Sequence, residues 1–312
     1  MSEDREPKQP GFPAGRMMPG ERRLEPPRWP GGRSQPPHGA FSVIGKRNRK
    51  VEGLAKVTGR ALYTDDITLP RMLHAKLLRS SHAHARIRSV DASAALALPG
   101  VHAVITGKDL PACYGIIPWT EDEQALCEQK ARYVGDPIAA VAADSELVAE
   151  EALRAIRVEY EPLPAVMDIE TALAHPEWKV NEKAREGNVS KHVHLEFGDV
   201  DGALEQSDEV VEAEYWYEGS THAAIEPHCA LADFDATGFL TVYSATQVAH
   251  YLHRDLAKVL GLPTQRIRVV QPVIGGAFGG KSEPFSLEFC AAKLSMVTGR
   301  PVKILYTREE VF

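Results

Sequence analysis

The sequence predicts an α+β fold in two parts: a small mixed α/β domain, then the opening elements of a larger α+β domain. Three observations predict it. Between about residues 58 and 166 the apolar residues switch between periods of two and 3.6, the signatures of strand and helix. Residues 167–199 are irregular and polar, broken by Pro176, Gly187 and Gly198, as a connection between domains is. A second series starts near residue 200, and from Phe239 it reads β-α-β-α-β without closing elements. The expected division is therefore 1–44 for a tail, 45–166 for the first domain, 167–199 for a linker and 200–312 for the second domain, which reads as incomplete.

The elements follow in order. Residues 1–44 are rich in Pro, Gly and Arg, with Pro26-Pro27, Pro30-Gly31-Gly32 and Pro36-Pro37. Such a segment buries too little apolar surface to offset its ordering entropy, so a disordered tail is expected. Met72–Leu78 reads as a strand, Asp91–Leu98 as an Ala-rich helix stopped by Pro99-Gly100, and Val101–Thr106 as a strand. Ile138–Ala142 is an apolar run expected to be a buried strand. Asp144 or Ser145 caps a helix to about Ile156. Arg157–Tyr160 returns as a strand before Pro162 and Pro164. In the second domain Glu209–Tyr217, Ala230–Asp235, Phe239–Tyr243, Arg266–Val273 and Val302–Tyr306 are expected strands. Val248–Leu260 is an expected helix, with Leu252, Leu256 and Val259 on one face and Gly261 past its end. Glu283–Val297 is another, ending before Gly299, with Phe285, Phe289, Ala292 and Met296 as its core stripe.

Composition excludes some classes. With 312 residues, 44 % hydrophobic and 25 % charged, the chain can build a core. Its net charge of −7 argues against nucleic-acid binding, which needs a basic face. Cys113, Cys127, Cys229 and Cys290 are far apart and form no C-x-x-C, so a cysteine-ligated iron–sulfur cluster is not expected on this chain. Reduced thiols fit a cytoplasmic protein. No apolar run reaches the ~20 residues that span a bilayer, and Arg22-Arg23 lacks the apolar stretch of an export signal.

The richest local signal is Gly275-Gly276-Ala277-Phe278-Gly279-Gly280-Lys281-Ser282, between an expected strand and an expected helix. Its glycines can reach positive φ and turn peptide N–H groups toward an anion or an oxo group. The following helix N-terminus, with Ser282 as its expected cap, adds a positive dipole end. The stretch also fits the phosphate-binding pattern G-x-x-x-x-G-K-[ST] letter for letter. Three features oppose that alternative: only about 30 residues follow where a nucleotide fold should, no later strand ends in an Asp, and Phe278 would crowd phosphates at the tip.

The loop does not stand alone. Ser244-Ala245-Thr246-Gln247, His222-Ala223-Ala224-Ile225-Glu226-Pro227-His228, Val134-Gly135-Asp136-Pro137-Ile138-Ala139 and Tyr63-Thr64-Asp65-Asp66 accompany it. In order and spacing these five segments resemble the G-G-x-F-G-G-K, S-x-T-Q, H-x-x-x-E-P, V-G-x-x-[IV]-A and Y-x-x-D segments of the xanthine dehydrogenase and aldehyde oxidase family, in its molybdopterin-binding large subunit. The likeness covers roughly residues 45–312. Tyr114-Gly115-Ile116-Ile117-Pro118, Phe197-Gly198-Asp199-Val200 and Lys281-Ser282-Glu283 resemble the family's 4-hydroxybenzoyl-CoA reductase branch. Purine-oxidising members place a Glu directly after the Lys; here Ser282 stands there and Glu283 comes one residue later, a turn of ~100° on a helix start.

The resemblance implies a hammerhead-like domain at 45–166 and the first part of a molybdopterin-binding domain at 200–312. It implies a molybdenum–molybdopterin cofactor, in the pterin cytosine dinucleotide form. Gln247 would hydrogen-bond near an oxo ligand. Gly275, Gly276, Ala277, Phe278, Gly279 and Gly280 would form the cofactor loop, with peptide N–H groups offered from Gly276 to Gly279 and Phe278 walling the pocket. It implies partners: a small [2Fe-2S] subunit, a medium FAD subunit, and the remaining cofactor-binding portion in cis or in trans. The substrate would be a small aromatic molecule, an aromatic acyl-CoA thioester before other aldehydes or heteroaromatics. The family's catalytic Glu lies in a G-x-G-E segment that this sequence lacks, so no catalytic or metal-ligating residue is carried over, and the chain alone is expected to be inactive. The alternatives are a phosphate-loop nucleotide-binding protein through Gly275–Ser282, or a non-catalytic assembly subunit of the same fold.

Plainer readings stand beside these. His250 and His253 have a spacing that zinc sites use but lack companion ligands. His222 and His228 read as structural hydrogen-bonding residues around a pocket. Glu226-Pro227 reads as a turn more readily than as an acid catalyst.

Overall fold

A computed structural model describes residues 43–44, 46–117, 121–184 and 186–312. Apart from residues 43 and 44, the expected tail lies outside the described residues. The chain divides at Gly59 into two units, Met1–Gly59 and Arg60–Phe312. The first contributes one short helix, α1 (Gly53–Val57), with no buried residue.

The second unit begins with β1 (Leu73–Arg79), β2 (Ala85–Asp91), α2 (Ser93–Leu96) and β3 (Val101–Thr106). The short strands β4 (Cys113–Tyr114), β5 (Glu123–Gln124) and β6 (Lys130–Ala131) follow, then β7 (Pro137–Ala143), α3 (Glu146–Ala155) and β8 (Arg157–Pro162). Helices α4 (Ile169–Ala174) and α5 (Val200–Glu205) precede β9 (Cys229–Phe234) and β10 (Leu240–Ser244). The chain then runs α6 (Ala249–Leu260), β11 (Ile267–Val270), α7 (Ser286–Thr298), β12 (Val302–Leu305) and α8 (Arg308–Val311).

Seven strands form one mixed sheet in the order β11-β10-β9-β12-β1-β7-β3. The apolar run read as a buried strand is β7, and all seven of its residues are buried. Its side chains divide by the period of two. Ala139 and Val141 face Ala95, Ala152 and Ile156 of α2, α3 and the turn after α3. Ala140 and Ala142 join the cluster that contains Leu287, Phe289, Ala291 and Leu294 of α7. One sheet thus carries α3 on one face and α7 on the other, a three-layer arrangement. The helix signals act as read: the Ser145 hydroxyl accepts the Val148 N–H at 3.3 Å, and α6 and α7 end at Gly261 and Gly299 with φ of 65° and 63°, the left-handed cap that glycine adopts freely.

The sheet crosses the boundary expected at 167–199. β1 pairs in parallel with β12, Leu73 opposite Val302 and Ala75 opposite Ile304. α7 packs on β9 and β12 on one side of that seam and on β3 and β7 on the other. The expected linker contains α4 and is fastened to the first half. Lys130 Nζ donates to the Lys179 carbonyl at 2.8 Å, and Asn181 Nδ2 donates to Asp122 at 2.8 Å. Pairing and packing, not chain order, decide which strands share a sheet.

Three expected elements differ. The Ala-rich helix shrinks to α2 because Asp91 closes β2, a strand the pattern did not reveal. The helix expected from Glu283 begins at Ser286: Pro284 disfavours helical backbone at Glu283. Residues 209–217 form no strand. Val211, Tyr215, Trp216 and Tyr217 are 85–89 % exposed, and no described strand pairs with them. An alternating pattern makes a strand only where a partner takes up its N–H and C=O groups.

Phe289 is fully buried, with its ring 4.5 Å from that of Tyr114. F289A should cost about 3–5 kcal/mol, read as a lower urea midpoint at unchanged slope; a loss below about 1 kcal/mol would place the core elsewhere.

Candidate functional site

Three segments meet around the glycine loop. The loop itself joins β11 to α7. Gln247 leaves the end of β10, and residues 222–228 lead into β9.

The loop's backbone is shaped by glycine for two reasons. Gly276 and Gly279 have φ of 105° and 95°, which side-chain-bearing residues rarely adopt. Gly275 and Gly280 are needed for closeness: a Cβ on Gly275 would lie 2.6 Å from Glu226 Cβ, and one on Gly280 would lie 2.8 Å from the His222 ring. Phe278, at the tip, has φ of 55° and Ala223 has φ of 43°. These are two of the three non-glycine residues with positive φ among the described residues. Backbone strain of this kind costs of order 1 kcal/mol each and gathers at functional sites.

The loop's peptide N–H groups fall into two sets. Gly275 N–H donates to Glu226 Oε2 at 2.8 Å, Gly280 N–H to the Ala277 carbonyl at 2.8 Å, and Gly279 and Lys281 N–H to Gln247 Oε1 at 3.2 and 3.3 Å. The N–H groups of Gly276, Ala277 and Phe278 have no acceptor among the described residues. Free donors therefore run from Gly276 to Phe278 rather than to Gly279, while Gly275, Gly279 and Gly280 hold the loop's form. Gln247 is brought to the loop as expected. Two peptide donors can satisfy only its oxygen, so its Nε2 group keeps both protons for another acceptor. Its own N–H donates to the Lys281 carbonyl at 3.0 Å.

Underneath, Glu226 and Lys281 form a buried ion pair. Lys281 Nζ lies 2.8 Å from Glu226 Oε2, the side chains being 1 % and 10 % exposed. His228 Nε2 meets the Gly280 carbonyl at 2.8 Å. Burial holds its ring below the usual histidine range, so it is neutral and Nε2 carries the donated proton. Tyr63 borders Gly275, and Leu62 accepts the Val273 N–H at 3.2 Å, so the Tyr63–Asp66 segment also abuts the loop. The Val134–Ala139 segment lies elsewhere, at the entry to β7, bonded to Arg79 and Arg132. Sequence reasoning read Glu226 as a turn residue and gave Lys281 no role; only contact across 55 residues joins them.

A cavity of about 540 Å³ opens beside the loop, bordered by Thr221, His222, Ala277, Gly280, Glu283 and Phe285 among others. Neither Gln247 nor Phe278 borders it. The Phe278 side chain, expected to wall a pocket, is 75 % exposed.

The phosphate-loop alternative does not survive this geometry. Such a loop needs its lysine free to reach phosphate, and Lys281 is buried and paired. Ser282 is not the helix cap; its hydroxyl donates to the Gly279 carbonyl at 2.8 Å. The N-cap N–H of α7, that of Phe285, is taken by the helix's own Glu288 at 2.9 Å. His253, considered for zinc, bonds the carbonyls of Thr264 and Ile267.

Known proteins resemble the chain over most of its length. The family profile described as "Molybdopterin cofactor-binding domain" matches residues 180–312. The one described as "Aldehyde oxidase and xanthine dehydrogenase, a/b hammerhead domain" matches residues 58–164. The chain is 40 % identical over 272 residues to the nicotinate dehydrogenase large molybdopterin subunit of Eubacterium barkeri, covering 86 % of this chain and 63 % of that one. It is 39 % identical to a probable xanthine dehydrogenase subunit of Bacillus subtilis (strain 168), covering 86 % and 36 %. Among solved structures, quinoline 2-oxidoreductase from Pseudomonas putida 86 superposes with a TM-score of 0.78 at 33 % identity, covering 86 % of this chain and 35 % of that one. The chain thus spans less than two thirds of the length of each.

The Glu226–Lys281 pair predicts a thermodynamic asymmetry. K281M should destabilise the chain by about 3–5 kcal/mol by leaving a carboxylate buried without its cation, and E226Q/K281M should recover much of that. A double variant whose loss equals the sum of the K281M and E226Q losses would show that the pair is not coupled.

Proposed function

Since the chain belongs to the aldehyde oxidase and xanthine dehydrogenase family, as its molybdenum-cofactor-binding subunit, we propose that the glycine loop and Gln247 form part of the cofactor site of a molybdenum hydroxylase. The observation that carries the reading is the set of unbonded neutral donors: the N–H groups of Gly276, Ala277 and Phe278, and the amide Nε2 of Gln247.

The donor set fits the group. Molybdenum bound to a pterin presents oxygen and sulfur acceptors. Neutral amide and peptide donors can hold such atoms without contributing a competing ligand. When bound, the cofactor supplies two-electron chemistry that moves an oxygen between water and a substrate carbon. The residues of this chain bind and orient. Gly275, Gly279 and Gly280 keep the loop's turns, and Glu226 with Lys281 keeps its base fixed. Neutral His228 holds the Gly280 carbonyl without adding charge. No carboxylate here is proposed as the base, because Glu226 is committed to Lys281 and Gly275.

The finer reading covers the cofactor's form, the partners and the substrate. The pterin cytosine dinucleotide form, a [2Fe-2S] subunit and an FAD subunit are proposed with the family assignment; both curated relatives are named as subunits, which supports a multi-subunit assembly. The exposed Val211, Tyr215, Trp216 and Tyr217 offer surface to a further polypeptide of that assembly. The substrate is proposed to be a small aromatic molecule. The relatives' names (nicotinate, xanthine, quinoline) favour a nitrogen heterocycle over 4-hydroxybenzoyl-CoA. Tyr114, one of the residues that carry the acyl-CoA likeness, is 3 % exposed and packed on Phe289.

The test is molybdenum retention. Made with its partner subunits in a cofactor-producing host, the wild-type chain should purify with molybdenum. Q247A should retain about 10-fold less, or lose activity by that factor, with its circular dichroism unchanged. Full retention and full activity in Q247A, or no molybdenum in the wild-type assembly, would overturn the reading.

A further inference from the structure

Behind the loop, one buried carboxyl group ties the strand that carries Gln247 to the helix that follows the glycines. Glu288 is 3 % exposed. Its Oε1 accepts from the Ser244 hydroxyl at 2.8 Å and its Oε2 from the Phe285 N–H at 2.9 Å. Ser244 ends β10, three residues before Gln247. Phe285 precedes α7, four residues after Lys281. Between these two contacts the segments are joined again, where the Lys281 carbonyl accepts from Gln247 N–H at 3.0 Å and from the Thr246 hydroxyl at 3.3 Å. The result is a closed ring: Glu288, Ser244 through Gln247, Lys281 through Phe285, and back to Glu288. A helix cap alone does not need this; the Phe285 N–H uses only one of the two carboxyl oxygens.

We propose that Glu288 is a positioning residue of the site, setting the spacing between the Ser244–Gln247 turn and the Lys281–Phe285 segment and thereby the presentation of Gln247 beside the free donors of Gly276 to Phe278. The proposal rests on the cofactor reading given above for what those donors meet.

The choice of a carboxyl has a further consequence. Burial pushes Glu288 up to about 7. His228, Cys229, Lys281 and Glu283 border the same crevice, and Tyr114, Cys290 and Tyr306 also feel its charge. Burial drives the two tyrosines and the two cysteines upward, away from neutral pH, and His228 downward. The folded state therefore binds a proton at Glu288 more tightly than the unfolded chain, whose glutamate has the ordinary value of 4.5. Glu288's contribution to stability therefore falls as pH rises from about 4.5 to about 7 and is level above that, beside a similar contribution from Glu123, which burial also pushes up to about 7.

Hydrogen exchange on the full chain, corrected for intrinsic rates, tests the role without cofactor. S244A opens the ring without touching the helix and should raise exchange at the Gly279 and Lys281 amides by about 10-fold. E288A should do the same. L294A, which loosens α7 at a buried position outside the ring, should leave those amides protected at matched loss of Tm. E288Q retains one acceptor and can donate to the Ser244 oxygen, so it should keep the protection and flatten the stability slope between pH 4.5 and 7 by Glu288's share, leaving that of Glu123. The proposal is overturned if S244A and L294A give the same exchange pattern, or if E288Q keeps the full slope. In the assembly, S244A should also lower molybdenum retention. If Q247A lowers retention and S244A does not, the positioning role fails while the cofactor reading stands. If Q247A keeps both full retention and full activity, the cofactor reading fails.

Discussion

A carboxylate nine-tenths buried, that of Glu226, lies between the Gly275 N–H and the Lys281 ammonium at 2.8 Å from each. The rest of the site depends on that placement. It fixes both ends of the glycine loop at once, because Gly275 opens the loop and Lys281 closes it. An unpaired charge at this depth would be very costly, so neither partner can leave without the other. With both ends fixed, Gly276, Phe278 and Gly279 settle into positive-φ turns. Three peptide N–H groups are then left with no acceptor among the described residues. The strain at Phe278 and Ala223 persists because this frame over-determines it.

The frame in turn stands on a sheet that ignores the order of the chain. β12, the last strand, lies between β9 and β1, and α7 packs across both halves. The loop leads into that helix, and Gln247 leaves a neighbouring strand of the same sheet. The two donor-bearing elements are thus anchored in one core cluster that includes Leu240, Val242, Leu287 and Phe289. A site built from such rigid elements holds its donors in place without a ligand, which is what electrostatic recognition of a cofactor needs. Glu288 closes the arrangement from behind by joining the strand end to the helix start.

Much of this was legible in the sequence, for identifiable reasons. β7 was readable because every residue is apolar and the strand is buried on both faces. α6 was readable because Leu252, Leu256 and Val259 recur at helical spacing and Gly261 stops them. The loop announced itself by four glycines in six residues, and Gln247 only by the resemblance of Ser244–Gln247 to the S-x-T-Q segment that accompanies such a loop. Other features were not legible. The 209–217 pattern alternates as a strand should, yet finds no partner among the described residues. Pro284 delays α7, and that displaces Ser282 from the cap. Glu226 looks like a turn residue because its partner is 55 positions away.

By itself the sequence determined the local matters: which segments prefer strand or helix, where glycine permits unusual backbone, and which ordered set of motifs the chain carries. Those depend on neighbours within a few residues and on the period of the side chains. Only the tertiary structure decided which N–H groups of the loop are spent and which are free, that Lys281 is buried against Glu226 rather than open to phosphate, and that strands from both ends of the chain share one sheet. Each of those is a competition among partners distant in sequence, settled by which donors and acceptors folding brings within about 3 Å.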